Sequence, residues 1–490
     1  MIRRMDRHDS GLGRPLRVRF AVSPAAPLHA AGARIALFNW LLARRSGGAF
    51  VVRIEGAAEG PDDLGEAAIL RDLRWLGIEP DEGPDCGGAF GPYRQAERDA
   101  IYREHVGRLL TSGAAYERDG AVWFPMPPGR TMVHDAVKGD VVFDHATIAD
   151  FVIRKADGRA SANLATAVDD ALMKIDLVLR SDEHLDGTPR QMALAHAFGY
   201  EPPRYAHAGA LLDQHKHVLA RDDEASGIRR LRSAGFLPEA VVEHLALLGW
   251  SPPETGASLT LDALVEMFSP DRIGHSPSVF DLERLRAFNA RRLRALPRER
   301  YHALLAEMMQ RHRLLEDPVP DAARRWIDTF LDAFGDDVHT LGEALEAIAG
   351  LREESVTIPA LELERLRNRQ VLFFLDAVSQ YVDDQPELRG LPLDDDLPAI
   401  ADEFGLAKAD AFGAVRMALT GTHDGPPLTL LFPLLGHDRI MIRIGAISSH
   451  ILHGRGLEPI QYGPGGVPFE TIHAERPGSA EATGQDPAGS

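Results

Sequence analysis

The sequence predicts an α/β fold, a doubly wound, Rossmann-like nucleotide-binding domain in the first half of the chain, followed by helical domains. Three observations carry that expectation. Residues 16–55 read as a buried strand, a small-residue turn carrying one histidine, and then a helix. Strand and helix patterns go on alternating to about Glu117, and after Gly235 the apolar spacing turns helical. With 490 residues and 44% apolar content, the chain is long enough for roughly three or four cores.

The elements follow in order. Val18, Phe20 and Val22 alternate with polar or small neighbours, as a strand requires, and Pro24 and Pro27 end the run. From Gly32 the residues Ile35, Leu37, Phe38, Leu41 and Leu42 return at helical spacing. The turn at Leu28 to Gly32 therefore directs free backbone N–H groups and the positive end of a helix dipole at one point, which suits a phosphate. Residues 118–147 hold a turn cluster, PMPPGR, and a strand-like stretch, KGDVVFD. Residues 148–234 return to the sheet, and PEAVVEHLALLGW (238–250) has its apolar positions at helix spacing.

Composition excludes several classes. No apolar run reaches the roughly 20 residues of a membrane span, and MIRRMDRHDSGLGRP lacks the apolar core of a secretory signal. A cytoplasmic protein with no membrane partner is expected. The single cysteine, Cys86, excludes an internal disulfide and any site built from several thiolates. A net charge of −19 argues against indiscriminate nucleic-acid binding and leaves room for a local basic face. Arg229, Arg230 and Arg232, then Arg291, Arg292, Arg294, Arg298 and Arg300, read either as such a face or as solvated helix surfaces.

The run from 16 to 55 resembles the first signature of the glutamyl-tRNA synthetases, a class I aminoacyl-tRNA synthetase family. Arg19, Ser23, Pro24, Leu28, His29, Gly32, Ala33, Arg34, Ala36, Leu37, Phe38, Asn39 and Trp40 match it. Further stretches keep the family's order, among them RDLRWLGIEPDEGP (71–84), VDDALMKIDLVLRSDEHLDGTPRQ (168–191), GFLPEAVVEHLALLGWSP (235–252) and VRMALTGTHDGPPL (415–428). The resemblance implies a class I synthetase catalytic domain followed by helical stem-contact and anticodon-binding domains. A disordered leader would occupy 1–14, the first half of the catalytic domain 15–117 and a shortened acceptor-binding insertion 118–147. The second half would occupy 148–234, a helical stem-contact region 235–330, a helical anticodon-binding region 331–474 and a disordered tail 475–490. Many relatives carry a cysteine-rich zinc site in a longer insertion; with Cys86 alone, and outside that segment, no zinc is expected.

The resemblance also implies a chemistry. ATP, with its Mg2+, activates glutamate or a related small acid as an adenylate, and tRNA takes the acyl group, on a protein that is a monomer by family default. Neither step needs a covalent enzyme intermediate, so the work is positioning and charge stabilisation. Arg19, Ser23, Glu55, Arg180 and His184 are the implied substrate-binding residues. His29, Gly32, Lys216 and Arg221 are the implied ATP contacts, with His29 and Arg221 in catalytic roles. A guanidinium grips a carboxylate through two parallel hydrogen bonds, which a neutral amide does not match.

Several signature positions depart from the family. Ala31 replaces a glycine that lets adenine approach the backbone, Val22 a proline, and Ala25-Ala26 a Thr-Gly pair. Gly56-Ala57-Ala58 replaces an acidic run, and Ala160-Ser161-Ala162 a Pro-Thr-Tyr signature, which predicts a larger, less polar pocket. Val218, Leu219, Ala220, Arg221 and Asp222 stand where a Lys-Leu-Ser-Lys-Arg loop closes over ATP, and Asp222 brings the wrong sign. The pair Asp169-Asp170 is kept; it reads either as part of the site or as a strand-end cap for a helix at Ala171. Three functions fit: a glutamate tRNA ligase with impaired activity, a non-catalytic paralogue binding tRNA, nucleotide or protein, and an adenylate-forming enzyme for another small acid.

Overall fold

Alternation along residues 17–22 buries Val18 and Phe20 and makes the segment an inner strand of a sheet. The computed structural model describes residues 14–56, 65–220, 223–254, 259–359, 362–363, 366–453, 461–462 and 468–472. Residues 1–13 of the expected leader and the whole of the expected tail, 475–490, lie outside the described residues. The chain divides into two units, Met1–Arg292 and Leu293–Ser490.

The first unit opens with β1 (Arg17–Val22), α1 (Ala30–Ser46), β2 (Ala49–Ile54), α2 (Glu66–Trp75) and α3 (Asp99–Thr111). Strands β3 (Tyr116–Arg118), β4 (Ala121–Phe124), β5 (Arg130–Asp135), β6 (Gly139–Asp144) and β7 (Phe151–Arg154) follow. Next come α4 (Ala162–Leu172), β8 (Leu177–Ser181), α5 (Thr188–Phe198) and β9 (Arg204–Ala208). Six strands form the main sheet in the order β2-β1-β8-β9-β5-β6. All neighbours are parallel except β5 and β6, an antiparallel hairpin. From β1 the chain runs outward to β2 on one side, and from β8 to β9 on the other. The carboxyl ends of β1 and β8 thus flank the topological switch point, where open α/β sheets leave a crevice. The hairpin β5–β6 falls within the span 118–147 and extends this sheet, while β3, β4 and β7 form a separate three-stranded sheet.

Successive strand residues face opposite layers. Phe50, Val52, Leu177 and Leu179 join the core under α1, whereas Val51 and Val178 join a second core with Tyr93, Val133 and Tyr205. The main core also takes in Val241, Leu245 and Trp250, so the helix read from PEAVVEHLALLGW is present at Pro238–Leu247. Helix α1 begins at Ala30, two residues before the position where its apolar spacing starts.

The second unit is mainly helical, with helices at Arg298–Arg311, Asp321–Phe334, Leu341–Arg352, Arg369–Asp383, Leu393–Glu403, Lys408–Thr420 and Leu428–His453, the last broken at Gly436. A small antiparallel sheet, with Val356–Pro359 paired to Pro468–Ile472, was not among the sequence-based expectations for this region. Buried Arg443 donates to the carbonyls of Gly350 (2.6 Å) and Glu353 (2.7 Å) and to that of Leu419, filling orphan acceptors at two helix ends. Among the described residues no helix is long and apolar enough to cross a membrane.

Candidate active site

The site grows from the end of β1. The chain leaves the sheet at Val22, turns through Ser23–Leu28 and enters α1 with His29 in an extended conformation at the N-cap (φ −114°, ψ 167°). His29 supplies its carbonyl to Ala33 N–H (2.9 Å), and its side chain caps no backbone donor of the helix. No acidic residue occupies the first turn, so the positive end of α1 stays available to an external anion. Gly32 packs close beneath the imidazole: a Cβ there would lie 3.4 Å from His29 Nδ1 and 3.3 Å from Leu28 Cδ1. Leu28 in turn accepts a hydrogen bond from Ile228 N–H (2.9 Å), tying this turn to the segment after the second signature.

A cavity of about 500 Å³ opens over the carboxyl ends of β1 and β8. It brings together Arg19, Ser23, His29, Gly32, Glu55, Arg180 and His184, seven of the nine expected site residues. Lys216 does not line it. That residue is exposed at the tip of the 211–219 hairpin with φ 65°, where Asp213 accepts the N–H groups of His215 and His217. Arg221 lies outside the described residues.

The two expected carboxylate-gripping arginines have different surroundings. Arg19 makes paired hydrogen bonds to Asp170 (3.1 and 3.2 Å), which also accepts from buried Arg53 (2.6 Å). Arg53 continues to Glu55 (2.9 Å), fixing that carboxylate at the cavity wall. Asp169 takes Arg98 (2.6 Å) and the Tyr102 hydroxyl (2.7 Å). Burial works against ionisation of Asp170, but Arg19 and Arg53 outweigh it and hold the carboxyl below its ordinary range. At Asp169 burial prevails over Arg53 and Arg98, and the pKa is raised. The acid pair belongs to the last turns of α4, not to a strand end, so the reading of it as a cap for a helix at Ala171 is corrected: both acids neutralise buried arginines.

Arg180 has no carboxylate within ion-pair distance among the described residues. Its Nε donates to His207 Nε2 (3.0 Å), Nη1 to Gln191 (3.0 Å) and Nη2 to Thr188 (2.9 Å), all uncharged acceptors. Burial, with neighbouring Arg19, pulls its pKa down to about 10, so it remains a cation at neutral pH. A buried cation without a counter-charge is costly and attracts an anion.

Five of the departures from the signature also lie here. Val22, Ala25, Ala26, Ala31 and Ala162 all line the cavity. Ser161 caps α4 by accepting from Leu164 N–H (3.4 Å). Residues carrying no motif of their own supply much of the wall: Asn163, Thr166 and Gln191 line it, and His207 and Asp135 stand behind Arg180. The nearest signal was Asp169-Asp170, two acids inside an apolar run. The arginine clusters read as a possible basic face are partly spoken for, since Arg232 pairs with Asp72 (2.8 Å) and Arg291 and Arg292 grip Glu243.

Comparison with known proteins identifies the family. Residues 15–121 and 122–287 match the model of the catalytic domain of class I tRNA synthetases (E and Q), and residues 301–447 match an anticodon binding domain. A glutamate–tRNA ligase of Moorella thermoacetica is 32% identical, covering 88% of this chain and 97% of its own. One from Desulforudis audaxviator is 34% identical, covering 88% and 95%. A crystal structure of a glutamate tRNA ligase from Elizabethkingia meningosepticum, in complex with its amino acid, shares the fold with a TM-score of 0.75 at 22% identity, covering 89% of this chain and all of that one. The chain belongs to the class I tRNA synthetases of the E and Q group.

Proposed function

We propose that the protein is a glutamate tRNA ligase that activates glutamate with ATP and Mg2+ and transfers it to tRNA in the cytoplasm. One observation carries this reading: Arg180 faces the switch-point cavity as a buried cation with only neutral partners, while Glu55 stands on the same wall. Arg180 suits a carboxylate and Glu55 suits an ammonium, the two poles of an amino acid. Arg19, although paired with Asp170 through Nε and Nη2, leaves Nη1 outside that pair for a second carboxylate. The end of α1 with His29 and Gly32 suits the phosphates. Relatives that cover most of the chain carry the name glutamate–tRNA ligase, and nothing favours the paralogue or the other-acid alternative.

Activity is slowed, in this reading, by Ala31 and by Val218-Leu219-Ala220-Arg221-Asp222 in the second signature. Each lost positioned charge costs roughly 3 to 4 kcal/mol of transition-state stabilisation. The test is pyrophosphate exchange into ATP with tRNA present, followed by transfer of labelled amino acid to tRNA. Exchange and transfer with glutamate, and not with glutamine, are expected. No exchange, or exchange only with another acid, would overturn the proposal.

A further inference from the structure

Arg180 is held by a buried chain of two more residues that the proposed chemistry does not consume. Strands β8, β9 and β5 lie side by side, and the register sets Arg180 directly opposite His207. Asp135 ends β5 next to the same stretch of β9, opposite Tyr205. His207 Nδ1 lies 2.6 Å from Asp135 Oδ2, and both side chains are fully buried. Arg180 has only donors, so His207 Nε2 must present its lone pair, and Nδ1 must carry the proton that goes to Asp135. The tautomer is therefore fixed by its two neighbours.

This arrangement orients a guanidinium without neutralising it. The contrast with Arg19 is direct, since Arg19 is fixed by a carboxylate that takes up its charge. On Arg180 a carboxylate would compete with the substrate for the same donors. A neutral imidazole orients the group and leaves the charge available. The negative charge of Asp135 is kept one ring away and is itself satisfied by the backbone N–H groups of Val137 (2.9 Å), Lys138 (2.8 Å) and His207 (3.1 Å). Burial disfavours the charged imidazole and lowers the His207 pKa, in keeping with a neutral ring.

Resting on the reading of the cavity as a glutamate site, we infer that Asp135 and His207 are positioning residues. They aim Arg180 at a substrate carboxylate and preserve its charge. The hairpin β5–β6, read from sequence as part of a shortened tRNA-binding insertion, then serves the amino-acid pocket.

The test is steady-state pyrophosphate exchange with the full chain, glutamate and ATP varied separately. In Asp135→Asn the carboxamide oxygen keeps the backbone N–H groups and its NH2 faces His207 Nδ1, which forces the proton onto Nε2, against Arg180. Asp135→Asn and His207→Leu are each expected to raise the KM for glutamate about tenfold or more, with kcat changed less than about threefold and KM for ATP unchanged. His207→Gln, which retains an acceptor for Arg180 and a donor for Asp135, is expected to recover most of that loss. Unchanged glutamate KM in Asp135→Asn and His207→Leu, equal losses in Gln and Leu at 207, or a parallel rise in ATP KM would overturn the inference. A wild-type chain with no glutamate-dependent exchange would instead overturn the functional reading on which it rests.

Discussion

At the scale of single residues, Gly32 separates stability from function. It lies in the first turn of α1, where alanine is worth about 0.5–1 kcal/mol more than glycine to a helix. A methyl group there would press on the His29 ring at 3.4 Å and on Leu28 at 3.3 Å. Gly32→Ala is therefore expected to melt at the same temperature or higher while pyrophosphate exchange falls about tenfold or more. A variant with full exchange activity would show that the imidazole is not used where it stands. Arg19 and Arg180 carry the complementary lesson: two buried guanidiniums in one cavity differ because one meets a carboxylate and the other an imidazole, an amide and a hydroxyl.

At the scale of elements, periodicity reports which face of a strand or helix is buried, and it made β1, α1 and the helix at Pro238–Leu247 legible. It does not report which element lies opposite. Arg19 meets Asp170 across 151 residues, Arg180 meets His207 across 27, and His207 meets Asp135 across 72. Those pairings were not legible because each depends on strand order, while the motif-bearing residues His29, Glu55 and Arg180 were legible through their signatures. The small sheet of the second unit escaped for a related reason, since Val356–Pro359 finds its partner only beyond the last helix.

The 211–219 hairpin offers a test at this scale. Asp213 N–H bonds to His217 O (2.8 Å), and Lys216 occupies the left-handed position of the loop, which favours glycine. Lys216→Gly is expected to stabilise the protein by about 0.5–1 kcal/mol, measured by urea denaturation. Because Lys216 is exposed and outside the cavity wall, the KM for ATP is expected to stay the same. A marked rise in that KM would place Lys216 on the nucleotide, as the second signature had led one to expect.

At the scale of the whole molecule, buried histidines make stability depend on pH on the acid side. His244 is 1% exposed, packs edge-on against Phe280 and Phe288, and has no hydrogen-bond partner for either ring nitrogen among the described residues. Burial, reinforced by Arg284, lowers its pKa from 6.5 to about 4. Below pH 6.5 the unfolded chain gains a proton that the folded chain refuses, so stability falls with pH until the folded group itself titrates near 4. His207 shifts in the same direction. Between pH 7.5 and 5, His244 alone is expected to cost about 2 kcal/mol, and His244→Leu should remove that share of the pH dependence. An unchanged pH dependence in the variant would mean that the ring is solvated or paired when folded.

The whole catalytic unit is arranged to bring one unmatched cation to the switch point of a parallel sheet. The most direct measurement is the KM for glutamate in tRNA-dependent pyrophosphate exchange, wild type against Arg180→Leu. The account predicts that the substitution leaves the fold and the KM for ATP intact and raises the glutamate KM about 100-fold, equivalent to about 3 kcal/mol of lost binding. A glutamate KM within a factor of two or so of wild type would contradict it.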